Sequence, residues 1–413
     1  MSADINVKSL KKNAFRVSKH RGETASRVRI PGGLINAKSM VRITEIAEKY
    51  GNGSIFITNR QGVEIPGISL EDIDAVNKEL QLCIDEAHIN QEERDKGFPA
   101  SGTRNVVACP GARLCPFGCY DTTAFAQKME DQIFPNNRHF KIAFTGCSND
   151  CAKVRMDDFG IMGMTEPQYD PDRCIGCQQC VDYCKIRSVG ALKMVGGKVV
   201  RDTDKCIGCG VCVTYCPTRA WTRSKEHYFR VTLLGRTGKK NPRLAEDFMK
   251  WADEETVMKI VKNAYAFVEE YIDPNALESK EHVGYIVDRT GFDEFYKWIM
   301  KDVTPNEKCE VNNRLYWGGK HYDVSNNIKP VGVNDTIMII FAEFFRIIRR
   351  IKLRWLCQSC NIFTVFTNVL FLFLNILYRH LTGKLFFLMF FLLCFSIFNY
   401  IFVRKFALLP VNL

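Results

Sequence analysis

The chain has 413 residues, 18 of them cysteine, and a formal net charge of +11. That length excludes a small disulfide-stapled scaffold, and cysteines gathered in short, metal-type spacings point to redox or metal chemistry in a reducing cytosol. Nine Lys/Arg against two Asp/Glu fall after residue 332, leaving 48 against 44 before it, so the charge does not mark a nucleic-acid partner.

The opening "MSADINVKSLKKNAF" is polar and lacks the apolar core of a secretory leader, so a cytoplasmic location is expected. "RVRIP", from Arg27, alternates like a strand. Met40, Ile43, Ile46, Ala47 and Tyr50 then recur at helical spacing, and Gly51 is placed to end that helix. "SIFIT" and "GVEIPG" read as two further strands joined through "NRQ". "SLED", from Ser69, reads as a capping box opening a second helix with Ile73, Val76 and Leu80 on one face. Cys83 lies on that face as a small core residue. The order β-α-β-β-α makes an open-faced α+β unit over residues 1–90.

Residues 91–168 hold two cysteine groups, "CPGARLCPFGC" and "TGCSNDC", and residues 169–220 carry cysteines at regular intervals. The segment 221–332 opens with the alternating run "YFRVTLLG" and a basic turn, "RTGKKNPR". An amphipathic helix follows over 254–272, and "HVGYIVDRTGFDEFYKWIM" reads as a strand or short turn leading into another helix. The body is therefore α+β with a cysteine-rich insert.

The tail, 333–413, has a different texture and holds 15 of the 29 phenylalanines. Its apolar runs, 362–377 and 385–403, are separated by "YRHLTGK"; the second is long enough to span a bilayer and the first is marginal. Arg346, Arg349, Arg350, Lys352 and Arg354 before the pair, with Arg404 and Lys405 after it, would leave the body of a hairpin in the cytoplasm. Out-of-frame translation of an AT-rich gene would give the same composition, and both readings stay open. Membrane contact is expected only from a genuine hairpin, and Cys357 with Cys360 is read as incidental.

The strongest signal is a pair of matching runs, "CIGCQQCVDYCK" from Cys174 and "CIGCGVCVTYCP" from Cys206. Both are C-x2-C-x2-C-x3-C, the two-cluster bacterial ferredoxin repeat, in which the fourth cysteine crosses to the other cubane. By that rule Cys174, Cys177, Cys180 and Cys216 hold one [4Fe-4S] cluster, and Cys206, Cys209, Cys212 and Cys184 the other. Structural zinc would not repeat this spacing twice. Lys185 stands where the repeat usually has proline, which alters the local turn more than the ligation.

Cys109 and Cys115 are six apart, Cys147 and Cys151 four apart, and on spacing alone both a cluster and a zinc site remain open. The order C-x5-C, about thirty residues, then C-x3-C beside "DFGIMG" resembles the sirohaem-dependent sulfite and nitrite reductases. "IPGG", "TNRQ", "TRNVVACPG", "RHFKIAFTGC", "GRTGKKNPRL" and "VDRTGF" extend the likeness over about residues 20–300. A ferredoxin insert directly after the motif is similar to the anaerobic and dissimilatory-type sulfite reductases.

The resemblance implies a ferredoxin-like half-domain, a sirohaem and [4Fe-4S] α/β domain, and an inserted ferredoxin domain. It implies that Cys109, Cys115, Cys147 and Cys151 bind a third cluster, with Cys151 bridging to the sirohaem iron. Cys119 matches no family ligand and is expected to be a packing residue. Sulfite would be reduced to sulfide with six electrons by a catalytic subunit. Sirohaem carries eight carboxylates and sulfite is an anion, so the pocket needs cations. Arg60, Arg104 and Lys141 are the implied catalytic residues, with Arg138 behind them. At His139 many relatives carry lysine. Arg236, Lys239, Lys240 and Arg243 would grip sirohaem carboxylates, or else form a solvated basic turn. No CxxCH occurs, so covalent haem is not expected. Without a Rossmann fingerprint or flavin motif, electrons are expected from iron–sulfur and flavin/NADH-linked donor subunits of a complex. Two rivals are nitrite reduction at the same cofactor and a non-catalytic polyferredoxin subunit without tetrapyrrole.

Overall fold

The computed structural model describes residues 10, 13–238, 242–275 and 281–315. Lys239, Lys240 and the tail from residue 333, with its expected hairpin and its Cys357 and Cys360, lie outside the described residues. Among those described, no helix is long and apolar enough to cross a membrane.

The first unit is a four-stranded antiparallel sheet of β1 (Phe15–Val17), β2 (Glu23–Val28), β3 (Phe56–Ile57) and β4 (Val63–Ser69), in the order β1-β2-β4-β3. Helix α1 (Ala37–Lys49) starts where the Asn36 side chain accepts the Lys38 N–H, and its apolar stripe buries Ile43, Ile46 and Ala47. The hydroxyl of Ser69 accepts from Glu71 N and caps a 3-10 turn, Leu70–Asp72, ahead of α2 (Ile73–Glu86). "SLED" therefore opens a turn that leads into the helix. Ile43, Ile65, Ile68 and Val76 meet in the core of this unit, each fully buried. Burial of one such side chain stabilises by about 1.5–3 kcal/mol.

The main body is a six-stranded mixed sheet of β5 (Val107–Ala108), β6 (Ile142–Thr145), β7 (Phe159–Met164), β12 (Tyr228–Leu233), β13 (Glu246–Ala252) and β14 (Glu310–Val311). Its order is β14-β13-β12-β7-β6-β5; β5, β6 and β7 are parallel and the other pairings antiparallel. Every residue of β6 and β7 is buried, as expected of strands covered on both faces. Helix α3 (Thr122–Ile133) packs on β5 and β6, and α6 (Glu254–Tyr271) on β12. Asp253 caps α6 by accepting Thr256 N, and Val257, Ile260, Val261, Ala264 and Val268 form its buried stripe. "HVGYIVDRT" departs from the expected strand or turn: Val283–Thr290 is helix α7, with Val283, Ile286 and Val287 buried at helical spacing. Gly291, at φ 91°, separates it from α8 (Phe292–Ile299).

Between β7 and β12 the insert is closed at its base by β8 (Gln168–Tyr169) pairing with β11 (Trp221–Thr222). A second hairpin pairs β9 (Leu192–Val195) with β10 (Lys198–Arg201), and two short helices, α4 (Gln179–Arg187) and α5 (Val211–Thr214), complete it. The repeat in the sequence is a repeat in backbone. Gln178 and Gly210, each just before its helix, are left-handed, as are Gly176 and Gly208 two residues earlier. The interior is Cys180, Cys184, Ala191, Leu192, Val199, Cys212 and Trp221.

Candidate active site

β5 and β6 end side by side, Ala108 in register with Phe144, and thereby bring Cys109 next to the Gly146–Cys147 turn. Gly146 N donates to the Cys109 sulfur at 3.1 Å. The Cys115 N–H is held by Gly111 O at 2.8 Å, which folds the "CPGARLC" loop back on itself. Burial raises the Cys147 thiol above its ordinary value, an Asn149 N–H opposes this, and the neighbouring Cys115, Cys151 and Cys109 reinforce it. The other three thiols thus lie within electrostatic range of Cys147, which is buried; Cys109 and Cys115 are half-buried and Cys151 is exposed. Beside Cys109 and Cys147, the Tyr120 hydroxyl is fully buried without an acceptor. An orphaned donor beside Cys109 and Cys147 fits an anionic cluster whose sulfur atoms would accept from it.

The insert sorts its eight cysteines into two sets. Cys174, Cys177, Cys180 and Cys216 line one small cavity together with Trp221. Cys184, Cys206, Cys209 and Cys212 line another. In the first set, burial raises Cys216, but N–H groups of Trp221 and Ala220 and the Thr218 hydroxyl outweigh it and hold that thiol below its ordinary value. Burial raises the Cys180 thiol, and a hydrogen bond from the buried Trp221 indole N–H opposes that rise. In the second set, burial drives Cys212 upward, and Cys209, Cys206 and Cys184 add to the rise. Ser188 Oγ lies 3.2 Å from the Cys209 sulfur. Among the described residues no three His, Cys, Asp or Glu close on a single ion-sized point.

A cavity of about 280 Å³ opens between the half-domain and the main body, lined by Arg27, Arg29, Arg60, Arg104, Asn105 and Thr103 among others. Three of its four arginines are tied to carboxylates. Arg27 pairs with Glu64 at 2.6 Å, and Arg60 Nη1 meets Asp157 at 2.6 Å. Arg60 also donates Nε to Asn105 O and Nη2 to Ile142 O, so a turn residue by sequence is a strut between units. Arg29 and Glu130 form a bidentate pair at 2.7 and 2.9 Å with both side chains nearly inaccessible. Burial raises the Glu130 carboxyl, and the charge and hydrogen bonds of Arg29 oppose it. Arg104 has no hydrogen bond or ion pair from its guanidinium among the described residues. Its pKa falls to about 10 through burial and the repulsion of Arg27, Arg60 and Arg29. A partly buried cation among cations is a place where an anion is needed.

Lys141 does not line this cavity, but its N–H donates to Asp158 Oδ2 at 2.9 Å and its charge bears on Asp157 and Asp158. Arg138 lines a separate cavity of about 410 Å³ with Glu92, Asn136 and Glu269. His139 is buried against His282, ring centroids 3.7 Å apart. Arg236, a candidate for sirohaem carboxylates, is buried, with Nη2 on Asp288 at 3.1 Å and its guanidinium over the Tyr285 ring. Arg243 pairs with it through the backbone. Cys119 is buried, its thiol pushed up to about 11, and it packs beside Tyr120 in the main core.

Sequence reasoning passed over Gln61, Asn105, Arg29 and Glu130. Gln61 is left-handed at φ 62°, and its amide binds both Ala108 N and Ala108 O, as a neighbouring strand would. Gly33 must be glycine beside it, since a β-carbon there would lie 2.7 Å from the Gln61 amide and φ is +70°. The Asn105 amide clamps Ile30 N, Ile30 O and Arg60 O. An Asn or Gln one or two residues from a candidate cation was the available signal.

Residues 100–306 match the nitrite and sulphite reductase 4Fe-4S domain, and residues 16–83 the nitrite/sulfite reductase ferredoxin-like half domain. The chain is similar to a subunit of the anaerobic sulfite reductase of Salmonella typhimurium, 39% identical over 338 residues, covering 80% of this chain and 100% of that one. Coenzyme F420-dependent sulfite reductase of Methanocaldococcus jannaschii is 33% identical over 165 residues, 38% of this chain and 24% of that one. Among solved structures, dissimilatory sulfite reductase I shares the fold with a TM-score of 0.54 at 14% identity, over 76% of this chain and 77% of that one.

Proposed function

The chain belongs to the nitrite and sulfite reductase family, and from that premise we propose that it is the catalytic subunit of an anaerobic sulfite reductase, taking sulfite to sulfide with six electrons. The observation that carries this reading is the match along the whole length of a sulfite reductase subunit. A stretch covering 80% of this chain cannot avoid the cysteine-rich insert at its centre. Nitrite reduction is less favoured for the same reason. A polyferredoxin without tetrapyrrole leaves the arginine-lined cavity without a purpose.

Cys109, Cys115, Cys147 and Cys151 would hold a [4Fe-4S] cluster, and exposed Cys151 would share its sulfur with sirohaem. When bound, the coupled centre supplies an iron for the sulfur of sulfite and a neighbouring store of electrons. The two four-cysteine sets of the insert, 169–220, would relay electrons from donor subunits. Arg104, whose guanidinium has no partner of its own among the described residues, would bind a sulfite oxygen, with Arg60 held beside it by Asp157. Lys141, set against Asp157 and Asp158, would supply positive charge and a proton as oxygen leaves as water.

The test is an acid-acetone extract of the purified protein, with iron counted in parallel. Extractable sirohaem and iron for three [4Fe-4S] clusters are expected; a protein with clusters and no tetrapyrrole would refute the catalytic reading. Faster turnover of nitrite than of sulfite at equal concentration would move the substrate to the rival reading.

A further inference from the structure

Arg223 follows β11 and reaches across the seam between the insert and the main body. Its Nη2 donates to the Pro116 carbonyl at 2.9 Å, within the loop that carries Cys115 and Cys119. From the insert side, Gly210 presses on it between Cys209 and Cys212. A β-carbon built there would sit 3.5 Å from Nη2 and 3.7 Å from Nε. The guanidinium also bears on the Cys119 thiol through its charge and a hydrogen-bonding contact, both opposing the rise that burial imposes there. Cys119 shares the seam, electrostatically in range of Arg223, Cys147 and Cys209. Phe117, in the same loop, packs on Tyr215 of the insert with centroids 6.3 Å apart.

The two insert sets differ in what surrounds them. Thr165 N donates to Gly208 O at 2.8 Å, which fastens the Cys206–Cys212 loop to the end of β7. A second arginine, Arg201, reaches the Cys206 sulfur at 4.0 Å. Thiols of the other set receive neutral donors, among them Ala220 N, the Trp221 indole N–H and the hydroxyls of Thr218 and Tyr169. Cys177 of that set is exposed. Fixed positive charge stabilises the reduced, more negative state of a cluster, so the two sites should not be equally easy to reduce.

We propose that Arg223 is a positioning residue for electron transfer: it seats the Cys184/Cys206/Cys209/Cys212 centre against the Cys109/Cys115/Cys147/Cys151 centre and makes it the more readily reduced of the insert's two. Electrons then enter beside exposed Cys177, pass to the second centre, and leave past Cys119. Each step moves one electron between centres, with no bond made or broken and an external reduced ferredoxin as the source. This rests on the cluster assignment above.

The experiment uses the holoenzyme, titrated potentiometrically and followed by electron paramagnetic resonance. Arg223→Gln is compared with Arg223→Lys, which keeps the charge. Turnover of sulfite is driven in parallel by a reduced two-cluster bacterial ferredoxin and by reduced methyl viologen, which is small enough to bypass the insert. In Arg223→Gln, one insert centre should become about tenfold harder to reduce, ~59 mV for one electron. The ratio of ferredoxin-driven to viologen-driven turnover should fall with it, while Arg223→Lys stays near wild type. Unchanged potentials in Arg223→Gln, equal shifts in both variants, or loss of iron from both would overturn the proposal. A wild-type protein with fewer than three centres would instead overturn the cluster assignment, before any variant is made.

Discussion

Replacing Glu130 by glutamine tests whether the arginine-lined cavity rests on a buried ion pair. Arg29 and Glu130 are 6% and 2% exposed at the side chain and joined by two short hydrogen bonds. Arg29 adds a third bond to Thr103 O at 2.8 Å and lies 3.9 Å over the Phe134 ring. Glutamine keeps the shape but can accept only one of the two bonds. It leaves a guanidinium unneutralised next to Arg104. Breaking a buried pair from one side costs about 3–5 kcal/mol, because the remaining charge has lost its counter-charge and cannot reach water. For a body of this size each kcal/mol lowers Tm by roughly 2–4 °C, so a drop of roughly 6–20 °C is expected. The assay is thermal unfolding by circular dichroism, alongside the double variant Arg29→Met/Glu130→Met. With both charges gone, the double variant should recover much of the loss. Since Thr103 precedes Arg104, KM for sulfite should rise in Glu130→Gln as well. A loss below about 1 kcal/mol, or a double variant no more stable than the single, would refute the reasoning.

Arg104→Gln should lower kcat/KM for sulfite by about 10²–10³, the range for losing one charged donor to the reacting anion, with little change in Tm; an unchanged kcat/KM would remove Arg104 from the site. Burial pushes the Asp158 carboxyl up to about 7, with Lys141 opposing and Asp157 reinforcing. The unfolded chain releases that proton near pH ~4 and the folded chain only near pH ~7, so the native state binds more protons between them and its stability falls as pH rises through that window. Asp158→Asn should therefore gain on wild type in Tm as pH rises from about 4 to about 7, and a difference that stays constant across that window would count against the shift. Cys147→Ser should lose iron and tetrapyrrole absorbance, whereas Cys119→Ser should keep both. Iron lost from Cys119→Ser alone would move the ligand set.

Helices α1 and α6 were legible because each has a cap and a buried stripe at helical spacing within a dozen residues, and α2 because its stripe follows the turn that Ser69 caps. Asp253 with Val257, Ile260 and Val261 is such a case. The membership of the two insert sets also follows from local spacing, since a short loop decides which sulfurs meet. The strands β5 and β14, two residues each, carry no pattern of their own and exist because a neighbouring edge pairs with them. Val283, Ile286 and Val287 form a helical stripe too short to stand out from an alternating run. Contacts such as Arg29 with Glu130 join residues far apart in sequence and leave no local trace. The same holds for Arg60, whose turn looks solvated until the main body closes over it. Lys239 and Lys240, equally basic by sequence, fall outside the described residues.

The insert enters and leaves the main sheet at one point. Met164, the last residue of β7, stands in register with Tyr228, the first of β12, where an ordinary hairpin turn would suffice. Residues 165–227 occupy the place of that turn, and the β8–β11 pair draws their ends together. Loop-closure entropy therefore weighs little on the β7–β12 pairing once the insert has folded, and heavily while it is open. Because Cys180, Cys184 and Cys212 are part of the insert's interior, its folding should depend on iron. Cluster assembly would then also act as a chain-closing step for the sheet around it. In an iron-starved chain, the amides of β7 and β12 should exchange with deuterium early, although they lie in the most buried part of the protein.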